Sequence, residues 1–307
     1  MLNARKREES TMDSELSYLL RLPKFEHFQA KTIAEACSLL SKHKGEGRLV
    51  AGGTDLLVSM KRRTISPKYL IDIKSIPELD YIRCDDEGLK IGTLATIHDI
   101  ESSPVIRERF PLLADTAHQL GTPNVRNIGT IGGNLCNAAP SADMAPSLIG
   151  LGAKVRINGT KGERTIALEE FFTGPGETAL QDGEMLTEIQ VPNISPHTHG
   201  VYLKLPARTA IDIASVGVSV VLRMDSKNVS DAKIVLGAVA PTPIRAHKAE
   251  EALKGKAIED ELIEKASEIA AEQSKPISDV RGSADYRREM VKVLTRRAIK
   301  QAVALSH

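Results

Sequence analysis

The sequence of 307 residues contains no tryptophan, and aromatic residues make up only 3% of it. Its core must therefore rest on Ile, Leu, Val and Ala. Cysteine is also scarce: Cys37, Cys84 and Cys136 are odd in number and far apart. No CxxC or Cys/His cluster offers metal-ligand spacing, which argues against a disulfide framework and against a metal site. The same scarcity fits a reducing cytoplasm. It also argues against an iron–sulfur cluster held by this chain alone, because such clusters usually take four thiolates.

An excess of one charge is missing too. Forty-one basic residues face 40 acidic ones, for a net charge of +1, and no basic stripe is present. A nucleic-acid partner is not expected on that balance. The clusters Lys61-Arg62-Arg63, Arg287-Arg288 and Arg296-Arg297 read as solvated faces. No apolar run approaches the ~20 residues of a membrane span. Met1 to Met12 lack the apolar stretch of a secretory signal. We therefore expect a flexible extension over 1–21, no membrane span and a cytoplasmic protein. Two standard nucleotide fingerprints are absent, GxGxxG and GxxxxGK[ST].

What is present is a chain of two parts. Helical spacing of Ile33, Ala36, Cys37, Leu39 and Leu40 follows Thr32, with Glu35 placed for a capping box. A short strand at Arg48–Ala51 and another at Tyr69–Ile73 complete an opening β-α-β unit. Leu89, Ile91, Leu94 and Ile97 suggest a strand, Val105–Leu120 a helical stretch, and Ser141–Leu151 a further helix. Strands are expected at Ala153–Ile157 and Glu184–Val191. Asn193 to Gly200 is a polar break. Beyond it lie three β-rich stretches, Val201–Leu205, Ile213–Met224 and Ala232–Val239. Helices follow at Lys248–Leu253, Glu259–Ser274 and Ala284–Ala304. The polar break and the order of elements predict an α+β fold in two parts, an N-terminal one over 22–196 and a C-terminal one over 197–307.

Two glycine segments stand out. The first is Leu49-Val50-Ala51-Gly52-Gly53-Thr54-Asp55-Leu56; the second is Thr130-Ile131-Gly132-Gly133-Asn134. Glycine permits positive φ and close approach to a ligand, and successive backbone N–H groups then form a concave anion nest. Thr54, Thr130 and Asn134 add hydroxyl and amide groups. Either these segments hold the two phosphates of a dinucleotide, or each Gly pair makes a tight turn. Downstream, Ser141 is placed to cap a helix, and Asp143 either serves the same helix start or bonds a ribose hydroxyl. His98 and His118 read as structural. The His197/His199 pair has no third ligand nearby.

Together these motifs resemble the FAD-binding medium subunits of the xanthine dehydrogenase and aerobic carbon monoxide dehydrogenase family. Ala51-Gly-Gly-Thr-Asp-Leu56, Thr130-Ile-Gly-Gly-Asn134 and Ser141-Ala-Asp143 before Pro146 carry the resemblance. Arg208-Thr-Ala-Ile-Asp212, Gly237-Ala-Val-Ala-Pro241-Thr-Pro-Ile-Arg245-Ala246 and Ser283-Ala-Asp-Tyr286-Arg-Arg extend it. The resemblance covers about Leu22 to Ala304. It implies a two-subdomain FAD domain of the vanillyl-alcohol-oxidase type, then a three-stranded antiparallel sheet packed on helices. It also implies that Leu49–Leu56 and Thr130–Asn134 hold the FAD pyrophosphate, and that Asp143 lies in the FAD pocket. Leu186 and Lys204 match positions that contact the cofactor near the flavin; their alternatives are core packing and a surface lysine. Leu120 stands where xanthine-oxidising relatives tend to carry an aromatic residue stacked on FAD. The inserted cysteine loop of hydroxybenzoyl-CoA-reducing relatives is missing.

The implied function is that of an oxidoreductase subunit without catalytic residues of its own. A large partner subunit would bear the molybdenum cofactor and a small one two [2Fe–2S] clusters. Electrons would pass from them through FAD to an external acceptor, in a heterotrimer that doubles into a dimer of trimers. The alternatives are a stand-alone flavoprotein oxidase acting on its own substrate, for which the chain looks short, and a binding module that has lost FAD.

Overall fold

A computed structural model describes residues 21–206, 209 and 212–306. The extension expected over 1–21 lies outside the described residues except for Arg21, as do Arg208, Ala210 and Ile211 of the Arg208–Asp212 motif. The chain begins with β1 (Glu26–Gln29), α1 (Ile33–Lys42), β2 (Gly47–Val50), α2 (Leu56–Lys61) and β3 (Tyr69–Asp72). The three strands form a parallel sheet in the order β1-β3-β2. Thr32 caps α1 by accepting the Glu35 amide at 3.1 Å, while the Glu35 carboxylate takes the Lys31 amide at 2.9 Å. The expected box thus closes one residue earlier than its standard form. Ala36 and Cys37 share a buried core with Ile71 of β3 and Ile73 just beyond it.

The chain continues through β4 (Ile82–Asp85), β5 (Gly88–Gly92), α3 (Ile97–Ser102), α4 (Pro104–Arg109), α5 (Pro111–His118), α6 (Pro123–Arg126), α7 (Ile131–Cys136) and α8 (Met144–Gly150). Then come β6 (Lys154–Gly159), β7 (Gly162–Ala167), β8 (Phe172–Gly174), β9 (Glu177–Thr178) and β10 (Met185–Pro192). An antiparallel sheet of order β4-β5-β10-β6-β7 results. Its inward residues Leu89, Ile91, Val155, Ile157 and Ile189 share one core with Leu113, Ala117, Leu135 and Leu148 of the helices. Each such buried side chain contributes about 1.5–3 kcal/mol of transfer free energy.

Three expectations are corrected in this region. Val105–Leu120 is two helices rather than one: Pro111 drives Phe110 out of the helical region, to φ −137 and ψ 51. Ile97 does not extend a strand but opens α3, where Thr96 and Asp99 form a complete capping box. Ser141 caps nothing, since α8 begins at Met144 and Asp143 is its N-cap without a side-chain cap bond.

The last part comprises β11 (Thr198–Pro206), β12 (Ala214–Asp225), β13 (Asn228–Gly237), β14 (Ile244–Arg245), α9 (His247–Leu253), α10 (Asp260–Gln273) and α11 (Ala284–Ala304). The expected three long antiparallel strands are joined by β14, a two-residue edge strand. The polar break is shorter than its sequence suggests, because Thr198 to Gly200 already pair in β11. Strand β12 is buried on both faces. Val216, Val218, Val220 and Leu222 meet Ala266, Ala270, Leu294 and Ala298 of the helices, while Tyr202, Val221 and Val235 join the core of the preceding part. Close backbone approach seals that second contact: a Cβ on Gly237 would stand 2.8 Å from Pro146, and one on Gly150 would stand 3.1 Å from Val221. Among the described residues no helix is long and apolar enough to cross a membrane.

Candidate cofactor site

The first glycine segment leaves the C-terminal end of β2. Leu49 packs against the α1 core and Val50 is buried, so the segment is anchored on its strand side. The chain then turns through Ala51, Gly52 and Gly53, the last at φ 73, and enters α2 after Asp55. Asp55 makes no side-chain cap bond. Among the described residues no acceptor takes the amide hydrogens of Gly52, Gly53, Thr54 or Asp55. A run of free amides on a glycine turn is the arrangement that binds anionic oxygens.

The second segment is different from the loop its composition suggests. Thr130 is the N-cap of α7, and its hydroxyl accepts the Gly133 amide at 3.1 Å. The Ile131 and Gly132 amides, both at 3.0 Å, go to the carbonyls of Ala95 and Thr93. The donors expected to form a second nest are therefore already used in docking α7 onto the Thr93–Thr96 segment. The two glycines have separate reasons. A Cβ on Gly132 would overlap the Thr93 hydroxyl and lie 2.8 Å from the Thr93 carbonyl oxygen. Gly133 is exposed, and a Cβ there would meet only the Thr130 hydroxyl, at 3.0 Å. Next to it, the Asn134 side-chain oxygen is buried with no hydrogen-bond partner.

The fold brings the two segments together although about 75 residues separate them in the chain. A Cβ on Gly52 would collide with the carbonyl oxygen of Ile128 and stand 3.1 Å from the Cα of Gly129. From the other side, a Cβ on Gly129 would lie 3.6 Å from the Thr54 hydroxyl. On the Gly52 side only bare backbone fits at this crossing, whereas the Gly129 side meets Thr54 at ordinary contact distance.

Asp143 and Lys204 form a buried pair at 3.0 Å, with side chains 8% and 3% exposed. Lys204 is thus no surface lysine. Tyr202, which sequence reasoning missed, donates its hydroxyl to the other Asp143 oxygen at 2.8 Å. Burial pushes the Asp143 carboxyl above the usual carboxylate range, and the Lys204 charge with the bonds from Tyr202 and Lys204 opposes that only in part. The same burial, with the Asp143 charge beside it, holds the Tyr202 phenol far above its ordinary value. Lys204 also donates to the Gln119 carbonyl at 3.0 Å, just before Leu120, which is half-buried against the main core. Leu186 is buried in that core on β10, beside a bulge between Leu186 and Glu188. Among the described residues no three His, Cys, Asp or Glu side chains are grouped to hold a metal.

The donor set fits a dinucleotide. The free amides from Gly52 to Asp55 suit phosphate oxygens. The orphaned Asn134 acceptor calls for a hydroxyl or N–H donor, which the sugar-like and ring portions of FAD carry. The profile of a family described as "FAD binding domain in molybdopterin dehydrogenase" matches residues 23–194. The chain belongs to this family. A second profile, "CO dehydrogenase flavoprotein C-terminal domain", matches residues 201–302. A carbon monoxide dehydrogenase medium chain from Hydrogenophaga pseudoflava is 38% identical, over 92% of this chain and 98% of the relative. A glyceraldehyde dehydrogenase medium chain from Sulfolobus acidocaldarius is 36% identical, over 91% and 98%. The solved carbon monoxide dehydrogenase from Hydrogenophaga pseudoflava that lacks the Mo-pyranopterin moiety matches with a TM-score of 0.91 at 38% identity, over 93% of this chain and 99% of that one. The chain is therefore an FAD-binding flavoprotein of the oxidoreductase kind, built from the two domains that these profiles describe.

Proposed function

We propose that this chain relays electrons from a [2Fe–2S] partner subunit to an external acceptor, with FAD held where the two glycine segments cross. The observation that carries the location is the run of free amides from Gly52 to Asp55, pressed against Ile128–Gly129. In this reading Leu49–Leu56 cradle the pyrophosphate with backbone donors. Thr130–Asn134 form the facing wall, exposing Gly133 and offering the Asn134 oxygen. Leu120, half-buried, supplies apolar surface to the rings, an aliphatic contact replacing stacking, while Leu186 backs that wall from the core. Asp143 and Lys204 act from behind that surface, fixing the turn that carries Leu120. Bound FAD exchanges single electrons with a cluster and pairs of electrons with an acceptor. The chain's own task is to orient the cofactor and keep one face of it dry.

The domain division we favour is an FAD domain over 22–196, in subdomains of about 22–75 and 76–196, and a C-terminal domain over 197–307. A large subunit with the molybdenum cofactor and a small subunit with two [2Fe–2S] clusters complete the enzyme. A dimer of such heterotrimers in the cytoplasm is the expected assembly. The relatives named above act on carbon monoxide and glyceraldehyde through similar medium chains, which supports placing substrate choice on the large subunit.

The test uses the native assembly. It is purified under mild conditions, its chains are identified by mass, and its flavin, molybdenum and iron are measured. After the flavin is stripped, substrate should still bleach the iron–sulfur absorbance while transfer to acceptor stops, and added FAD should restore transfer. A metal-free chain that purifies alone and is reduced by a small molecule would overturn the relay.

A further inference from the structure

We propose that Arg126 is a positioning residue for the FAD site: its guanidinium fixes the Gln119–Gly121 turn and, through it, the Leu120 side chain. The inference rests on the site proposed above, and no part of that site includes Arg126 itself.

Arg126 ends the four-residue helix α6 and is 7% exposed. Its Nε donates to Glu101 Oε2 at 2.7 Å, and one terminal nitrogen reaches Glu101 Oε1 at 3.4 Å. A structural ion pair would need no more. The other terminal nitrogen instead donates to two successive carbonyls, Leu120 at 3.2 Å and Gly121 at 3.1 Å. Lys204 holds the carbonyl just before them, that of Gln119, at 3.0 Å. Three consecutive carbonyls of one turn are thus bound by two buried cations, one from the FAD part and one from β11. Gly121, at φ 51, permits the backbone course that presents them.

The side chain also closes a ring. Arg126 bonds back to residues 120 and 121, and the Gly129 amide donates to Val125 at 2.7 Å. Leu120 therefore sits at one end of a closed segment whose other end, Ile128–Gly129, is pressed on Gly52. A shift of the guanidinium moves both ends. Glu101 anchors the far side: burial raises its carboxyl, but bonds from His118 and Arg126 outweigh that and hold it below the usual carboxylate range. A lysine keeps the charge but lacks the planar fork, and cannot span a carboxylate and two carbonyls together.

The experiment takes the assembled complex, strips the flavin and titrates it with FAD. Arg126→Lys, Leu120→Ala and the double variant are compared for FAD Kd and for the visible circular dichroism of the bound flavin, with assembly checked by size exclusion. Arg126→Lys should raise Kd about tenfold or more and alter the flavin dichroism. Leu120→Ala should also weaken binding, and the double variant should lose less than the product of the two factors, because Arg126 acts through Leu120. Glu101→Gln leaves the guanidinium present but looser; it should shift Kd in the same direction by a smaller factor. Unchanged Kd and dichroism in both Arg126→Lys and Glu101→Gln, with Leu120→Ala still weakened, overturns the proposal. So do factors that simply multiply. If Leu120→Ala and Gly133→Val both bind FAD like the parent, the site itself is misplaced, and the inference falls with it rather than by any result on Arg126.

Discussion

Gly52 and Ile128 meet backbone to backbone: the space a Cβ on Gly52 would fill already holds the Ile128 carbonyl, whose carbon would lie only 2.9 Å away. No side-chain rotation relieves that overlap. Gly52→Ala must therefore separate the two glycine segments, at about 1–3 kcal/mol or more of overpacking strain, and FAD should be lost with it. Gly45→Ala is the control. Gly45 has φ 77 but nothing within 4 Å of a new Cβ, so only the left-handed backbone penalty remains, about 1–2 kcal/mol, and flavin content should stay full. Equal flavin loss in both variants would falsify the idea that the crossing, rather than general stability, governs FAD retention.

The neighbours Gly132 and Gly133 should respond in opposite ways. Gly132 is packed into Thr93, so Gly132→Val expels α7 from its seat and should prevent folding or assembly. Gly133 is exposed and touches only the far end of the Thr130 side chain. Gly133→Val should leave the assembly and its far-UV spectrum intact yet abolish FAD retention, since the new side chain projects where the cofactor lies. Full flavin occupancy in an assembled Gly133→Val complex would show that the cofactor does not lie against α7.

These contrasts also mark how far the sequence could be read. Helix α11 was legible to its ends, Ala284 and Ala304, because Ser283 caps it and its apolar residues keep a helical period over 21 residues. The two glycine segments were legible as a pair. That the second is a helix was not, since Gly-Gly-Asn carries poor helix propensity and α7 is held by tertiary bonds to Thr93 and Ala95. The helix α3 could have been found: Thr96 and Asp99 stand at capping-box spacing, but the preceding apolar residues continued a strand pattern. Strand β7 was not legible because it is a sheet edge with no buried residue to set an apolar alternation. Least legible was the convergence of Lys204 and Arg126 on one turn. Lys204 lies 85 residues beyond Gln119, and nothing local in either sequence indicates the other. Long-range polar pairs are set by how the two parts pack, and no periodicity encodes that.

The pair Asp143–Lys204 joins the two parts of the chain and makes its own prediction about pH. Lys204→Met leaves the Asp143 carboxylate buried without its cation, a loss of about 3–5 kcal/mol near neutrality. Burial already raises the Asp143 carboxyl, and Lys204 supplies part of what opposes the rise, so its removal lifts the folded-state value further. A carboxyl whose folded-state pKa exceeds its unfolded one contributes stability below the unfolded value and loses it as pH rises through the folded value. The variant should therefore be closest to the parent in mild acid, where Asp143 takes up a proton, and fall away as pH increases. Thermal unfolding of both assemblies at about pH 5 and about pH 8 reads this directly, the deficit being smaller at the lower value. A deficit that is the same at both would mean that Asp143 is not the charge Lys204 compensates. Asp143→Asn introduced into Lys204→Met should then remove the pH dependence and, by sparing the buried charge, recover part of the lost stability.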